Sequence, residues 1–425
     1  MPMARVKPFR GLRPIPEKVN DVASPPYDVL NSDEAREKAK DNPNSFLHVV
    51  KPEIDLDSSI DPYDSMVYAK GAENLNRLIE QKILIQDDRP CFYIYKLCMG
   101  EHEQVGLVAV ASVEDYIQNR IKKHEHTRPD KEQDRVNHIN HLNAQTGPVF
   151  LTYRGNDKIE QLLNRGMAKE PVYDFIGDYD VRHIFHVVDD MSLIESISEA
   201  FASVEALYVA DGHHRSAAAT VVRNMRMENN PNHTGDEAYH FFLTVIFPDS
   251  QMRILDYNRV VTDLRGMSSD EFLSKIEEKF EINIEGCAGC TGCEDMAYRP
   301  RTAHDFGMFL DGQWFSLKPK EGTYDPSDPI SCLDVSILQE NLLSPILGIE
   351  DPRTDKRIHF VGGIRGLKEL ERLVDNGDYA VAFSLFPTSI DQLLSVADAG
   401  KVMPPKSTWF EPKLRSGVVV HMLDE

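Results

Sequence analysis

Apolar residues recur at helical spacing from Asp64 to Lys82, which predicts one long amphipathic helix. A shorter helix is expected from about Asp33 to Lys40, capped by Asn31 or Ser32 and closed by Asn42–Pro43. The pattern then turns to strands. Cys91–Leu97 and Val105–Val113 are β-rich and flank a short polar run, as in a hairpin. Further strands are predicted at Phe150–Tyr153, Ile184–Val188, Leu207–Ala210 and Phe241–Phe247. Helices are expected between them at Asp157–Lys169, Leu193–Val204 and about Ser216–Met227.

The later part of the chain has its own rhythm. Ser268 and Glu271 form a capping box ahead of a helix reaching about Lys279, and FEINI follows as a strand. Asp311–Gly312 between two apolar runs is a hairpin signal. Helices at Leu333–Leu343, Leu367–Val374 and Ile390–Ala397 alternate with strands at Ile358–Val361, Tyr379–Phe386 and Val418–Leu423. The expected class is α+β with a mixed sheet, with an α/β C-terminal region. A division near residue 265 separates an expected nucleotide-binding and catalytic domain, 1–265, from a C-terminal domain, 266–425.

Composition narrows the function classes. The chain has 425 residues, 47 Lys and Arg against 69 Asp and Glu, and a formal charge of -22. Nucleic-acid coating rests on cationic side chains, so no nucleic-acid partner is expected, while a local basic pocket for a small phosphorylated molecule is compatible with the charge. No apolar run approaches the ~18–20 residues of a bilayer span, and the N-terminus lacks the apolar core of a secretory signal. Six cysteines do not make a disulfide scaffold, and a cytoplasmic protein with reduced thiols and no membrane partner is expected.

The clearest candidate chemistry is ALYVADGHHRSAAATVV, Ala206–Val222. A strand runs into Asp211 and Gly212, then His213, His214 and Arg215, then an alanine-rich helix. Gly212 permits a tight turn, and the amides that follow sit at a helix N-terminus, which favours an anion. Arg215 and the two histidines add donors. Neither a Walker A loop nor a dinucleotide fingerprint is present. A turn whose polar residues are simply solvated is the alternative.

A second cluster, Lys122–His141, holds His124, Glu125, Thr127, Lys131, Asp134, Arg135 and His138. If a helix starts near Pro129, Lys131 and Arg135 share a face, with His138 beside Asp134 and Arg135. That arrangement sets carboxylates beside phosphate-binding cations; an exposed charged helix is the plainer reading. His138 and His141, or His213 and His214, could ligate a transition metal, but no standard metal spacing is present, and no metal is expected at these histidines. Cys287, Cys290 and Cys293 have metal-like spacing, with Cys332 as a conceivable fourth ligand, and fit a small-residue surface loop as well. Near the end, Lys406, Ser407 and Thr408 follow two prolines, either as a presented loop or as a proline-guided entry into the last strand.

SPPYDVL, KHEHTRPDKEQDR, ADGHHRSAAA, YNRVV and MPPKSTWFEPKLRSG occur in this order and span nearly the whole chain. Together they resemble the bacterial and archaeal family catalogued as domain of unknown function 1015. More distantly, a strand followed by DGHHR and a helix is similar to the phosphate-handling turn of the ParB/sulfiredoxin-like superfamily, which includes free-serine kinases. That resemblance implies a ParB/sulfiredoxin-like core with large insertions. It implies nucleotide phosphates on Asp211–Arg215, and Glu125 as the base that deprotonates a substrate hydroxyl. His124, Thr127, Lys131, Asp134 and Arg135 would contact substrate or phosphate, and Lys406, Ser407 and Thr408 would complete the site. The implied activity is a kinase for a small hydroxyl substrate, free L-serine foremost, using ATP or ADP with Mg2+, which Asp211 could touch. Sulfiredoxin chemistry is disfavoured because histidines stand where that turn needs a cysteine. A non-catalytic nucleotide-binding regulator and a metal-dependent phosphodiesterase or phosphohydrolase are the alternatives.

Overall fold

The computed structural model describes residues 4–285 and 297–424. The chain forms two compact units, residues 1–252 with 412–425, and residues 253–411. The division therefore falls at 252/253, ahead of the expected 265, and the last residues return to the first unit.

The first unit is built on a nine-stranded mixed sheet. Its strands in chain order are β1 (Val6–Lys7), β2 (Phe92–Met99), β3 (His102–Ser112), β4 (Ile121–Lys122), β5 (Val149–Tyr153), β6 (Tyr173–Ile176), β7 (Arg182–Val188), β8 (Leu207–Asp211) and β9 (Phe241–Pro248). They lie in the order β4-β8-β5-β9-β3-β2-β7-β6, with β1 also on β3. β4 pairs β8 in parallel and β5 pairs β9 in parallel; the other pairs are antiparallel. The expected β2–β3 hairpin is present and turns at Gly100 in the left-handed region.

Five helices matter for the site: α1 (Ser65–Glu80), α2 (Pro129–Leu142), α3 (Asp157–Gly166), α4 (Met191–Phe201) and α5 (His213–Asn229). Asp64 caps α1, Asn156 caps α3 and Asp190 caps α4, each accepting from a first-turn amide. The apolar stripes of α3 and α4 (Ile159, Leu163, Ile194 and Ile197 among them) share one core with Leu107, Leu151 and Val209 of the sheet. α2 packs against α5 through Val136, Ile139, Ala218 and Val222. The alanines of α5 permit that close approach.

The second unit is built on a six-stranded sheet of β10 (Tyr257–Val261), β11 (Phe280–Glu285), β12 (Phe306–Leu310), β13 (Gln313–Pro319), β14 (Ile358–Gly362) and β15 (Val381–Ser384). Their order is β11-β13-β12-β15-β10-β14, antiparallel throughout. The α/β expectation for this region is corrected to α+β. The alternation that suggested it is a split β-α-β: β14, the helix Leu367–Asp375 and β15 follow one another, but β10 lies between the two strands. Asp311 and Gly312 both have positive φ, as the β12–β13 hairpin turn requires. The Ser268–Glu271 capping box opens the helix Ser269–Ile276. The expected helix at 333–343 is α only over Asp334–Leu338 and widens to a π turn over Gln339–Leu343.

The C-terminal segment is part of the first unit's framework. Ser416 exchanges backbone bonds with Ser24, Val420 with Leu12, and His421 and Met422 pair with Gln145 and Ala144. The strand expected over Val418–Leu423 is thus a ribbon of short pairings rather than one continuous strand. Gly417 sits at φ 84, and a Cβ there would meet the Phe46 side chain at 2.6 Å. Gly417→Ala should therefore destabilise the protein by about 2–4 kcal/mol, through left-handed strain and overpacking together. Urea denaturation measures it, and a loss under about 0.5 kcal/mol would mean that the tail is not held this way.

Candidate active site

The parallel β4–β8 pair brings the two motif-bearing segments together. Ile121 is level with Leu207 and Lys122 with Tyr208. Parallel strands end on the same side, so His124 and Glu125, leaving β4, emerge beside Asp211 and His213, leaving β8. Gly212 makes the turn at φ 103, and a Cβ on it would crowd the Arg215 guanidinium at 3.1 Å. α5 then begins at His213, with Ser216 N bonded to Gly212 O.

Asp211 lies between two cations, 3.2 Å from Lys413 Nζ and 3.6 Å from Arg215 Nη2. Burial opposes its ionisation, but Lys413 and Arg215 outweigh it and hold the carboxyl well below the usual range. Arg215 also donates to the Pro148 carbonyl. His214 Nε2 accepts from the Arg128 amide at 3.1 Å, fixing the loop between β4 and α2.

His124 and His213 are both buried, and their rings meet edge to face with centroids 4.4 Å apart. Neither nitrogen of His124 and not Nε2 of His213 has a hydrogen-bond partner. The Val209 backbone lies near His124 but outside hydrogen-bonding geometry. Burial pushes the His124 pKa down to about 4 and that of His213 well below its usual value, so both rings are neutral near pH 7. A Glu125 carboxylate oxygen stands 3.9 Å from His213 Nδ1.

Beside this turn is a small cavity, open to solvent, whose lining includes Pro26, Tyr27, Arg135, His138, Arg215 and Ser416. Pieces of four sequence motifs thus meet at one place. Arg135 is buried over the Tyr27 ring, 4.0 Å from its centroid, and makes two bonds to Asp134 Oδ2 at 2.7 and 3.0 Å. Tyr68 donates to the other Asp134 oxygen at 2.9 Å. His138 bonds the Val49 carbonyl through Nε2 at 3.0 Å.

The expectations for α2 divide accordingly. The helix does begin at Pro129. Arg135 lines the cavity, but Lys131 bonds Tyr63 Oη at 2.5 Å, so the pair does not act as one clamp. Asp134 is committed to Arg135 and Tyr68, and Thr127 Oγ1 donates to Glu132 at 2.7 Å. The plainer reading of α2 as an exposed charged helix fails, since Asp134, Arg135 and His138 are all buried. Among the described residues His138 and His141 belong to no cluster of three close metal-ligating groups, and His138 Nε2 is taken by the Val49 carbonyl. Cys287, Cys290 and Cys293 lie outside the described residues, and Cys332 is a free thiol.

Lys406, Ser407 and Thr408 belong to the second unit. There the Lys406 carbonyl accepts from Arg259 Nη2 at 3.0 Å, Ser407 Oγ donates to Pro404 O, and the Ser407 carbonyl accepts from Thr388. YNRVV and MPPKST are thus joined through buried Arg259. Tyr27, Lys413 and Ser416 were not singled out as site residues. Each sits inside a noted motif, and only the chain path shows that Tyr27 and Ser416 line this cavity and that Lys413 pairs with Asp211.

The burial of His138 has a pH signature. Burial first, and Arg135 second, push its pKa down to about 3; Asp134 opposes and His141 assists. A depressed folded-state value means that the unfolded chain binds the proton more readily. This contribution is full above about pH 6.5 and is lost as pH falls toward 3. His138→Gln should lose about 2 kcal/mol less stability than the parent between pH 7.5 and 5. Urea midpoints at the two pH values test this, and parallel curves would refute it.

A family profile described as Protein of unknown function (DUF1015) matches residues 6–336. No curated protein matches the chain. Among solved structures the chain is similar to a free serine kinase in complex with AMP, at 12% identity over 72% of this chain and 86% of that one, TM-score 0.34. It is also similar to a conserved hypothetical protein from Pyrococcus furiosus, at 12% identity over 75% and 96%, TM-score 0.36. A third is C-terminally truncated SbnI from Staphylococcus aureus, at 10% identity over 72% and 82%, TM-score 0.35. Among the described residues no helix is long and apolar enough to cross a membrane.

Proposed function

The chain belongs to the family described as Protein of unknown function (DUF1015), and within it we propose a nucleotide-dependent kinase that phosphorylates a small hydroxyl substrate, free L-serine foremost. The observation that carries this reading is the cavity in which Arg135 and Arg215 meet beside the first turn of α5. Two guanidiniums line it, one of them from the first turn of α5, and together they would make a local anion site in a chain of charge -22. The resemblance of DGHHR to the turn of the free-serine kinases, and with it the ParB/sulfiredoxin-like core, points the same way.

In this reading Asp211–Arg215 holds the phosphates of ATP or ADP. Arg135, stiffened by Tyr27 and Asp134, is free of rotamer choice and holds the substrate carboxylate or the moving phosphoryl group. Glu125 takes the substrate hydroxyl proton. The oxygen then bonds to the terminal phosphorus as the bond to the bridging oxygen breaks, and the nucleotide leaves one phosphate shorter. Asp211 is the carboxylate that would hold Mg2+, in exchange for its pairing with Lys413 or Arg215, since such ions take one or two carboxylates plus phosphate oxygens. When bound, the ion neutralises phosphate charge.

Two variants test the assignment. Arg215→Ala should weaken nucleotide binding by about 10- to 150-fold, the equivalent of a charge-assisted contact of about 1.5–3 kcal/mol. Unchanged affinity in a folded variant would remove the turn from the site. Glu125→Gln keeps the shape but cannot take the proton, so serine-dependent nucleotide consumption should fall by about 10²–10⁴-fold with nucleotide affinity retained. Turnover near the parent rate would move the base elsewhere. Nucleotide binding with no turnover over a screen of hydroxy amino acids and sugars would favour a regulator instead.

A further inference from the structure

Two buried imidazoles with unpartnered nitrogens, side by side and next to a carboxylate, are unusual in a folded protein. Buried polar atoms nearly always find a partner, and an unpartnered one points to something the side chains alone do not supply. His124 and His213 are 2% and 4% exposed, and three of their four ring nitrogens lack a hydrogen-bond partner. One ligand atom from each of His124, Glu125 and His213 lies within 4.8 Å of the others. The 3.9 Å between Glu125 and His213 Nδ1 is too long for a hydrogen bond.

We propose that His124, Glu125 and His213 form a binding site for a single divalent transition metal of the Zn2+ class. Imidazole nitrogens suit such ions, and a His2Glu set is one of the established zinc donor sets with a position left open. Ligands of one tetrahedral zinc stand about 3.3 Å apart, with Zn–N about 2.0–2.1 Å. The three groups, now within 4.8 Å of one another, need to close by about an ångström. The frame is already stiff. β4 and β8 set the backbone positions, and His213 is locked into the start of a 17-residue helix.

A second trio, His233, Glu237 and His240, also stands close, but its chemistry opposes a metal. Arg223 Nε donates to His240 Nδ1 at 3.4 Å, which leaves the ring proton on Nε2, the nitrogen facing Glu237 at 3.3 Å. A metal there would have to displace that proton while the arginine occupies the other lone pair. Thr234 and Gly235 amides already bond Glu237. No comparable donor occupies His124.

The site does not rest on the kinase reading. It shares Glu125 with it, and a metal on that carboxylate takes the lone pair a proton would use. The two roles belong to metal-bound and metal-free states of one protein, and zinc opposes any reaction that needs Glu125 as a base.

The test uses the full chain, stripped with chelator, with Cys287, Cys290 and Cys293 changed to serine so that their thiols do not compete. Co2+ is titrated in without nucleotide or substrate. One equivalent should bind with visible d–d absorption, free of thiolate charge-transfer bands, and one equivalent of Zn2+ should displace it. Glu125→Gln and His213→Gln should each weaken Zn2+ binding by more than about 100-fold, beyond the 10–100-fold typical of losing an outer-shell partner. Far-UV circular dichroism checks folding, and the partly exposed Glu125 position keeps the test available if His213→Gln fails to fold. No stoichiometric Co2+ in the parent would overturn the site, as would Zn2+ affinity unchanged in Glu125→Gln. Because absorption reads binding alone, a protein without kinase turnover would still pass or fail this test.

Discussion

Neutralising Asp211 is the constraint on which the first unit turns. A carboxylate at the end of β8 and beside two buried neutral histidines needs cations, and it takes one from its own helix and one from the far end of the chain. Lys413 can reach it only because the C-terminal segment returns across the unit. Two residues on, Arg415 is buried against Asp178 and His183. From there the backbone is stitched to Ser24, Leu12 and Gln145. The tail that satisfies the charge of the turn also pins the proline-rich N-terminal segment, and with it Tyr27, on the lining of the cavity.

A second buried network gives the cavity its rigidity. Tyr68 of α1 donates to Asp134, Asp134 holds Arg135, and Arg135 sits over the Tyr27 ring. Burying a guanidinium without such partners would be prohibitive. With them, the planar fork is held in one orientation before any ligand arrives, which suits recognition of a phosphate or carboxylate. Arg259 in the second unit shows the contrast. It is equally buried, but its donors go to the Tyr257 and Lys406 carbonyls, and burial pushes its pKa down to about 10. One arginine motif faces a cavity; the other ties a strand to a loop.

Several features were legible from residue order. The caps of Asn31 and Ser268, the Asp311–Gly312 turn, and the strand–Gly212–helix transition are written in local stereochemistry, because a capping oxygen or a positive φ acts within a few residues. The mixed α+β class followed from the same periodicities. Alternation misled only where strand neighbours are non-sequential: β14, helix, β15 reads as a parallel unit until β10 is seen between them.

The sequence alone determined which residues carry unusual chemistry, since clustering of Asp, His and Arg around one glycine is a local property. What it did not determine was which of those residues meet. Lys131 and Arg135 are one turn apart and part company, one to Tyr63 and one into the cavity, because the packing of α2 between α1 and α5 decides which face is buried. His124 and His213 are far apart in the chain and touch, because β4 and β8 run parallel and end together. Strand pairing and the path of the C-terminal tail are long-range choices, made by the burial of whole faces and the pairing of charges. Only the tertiary structure makes them.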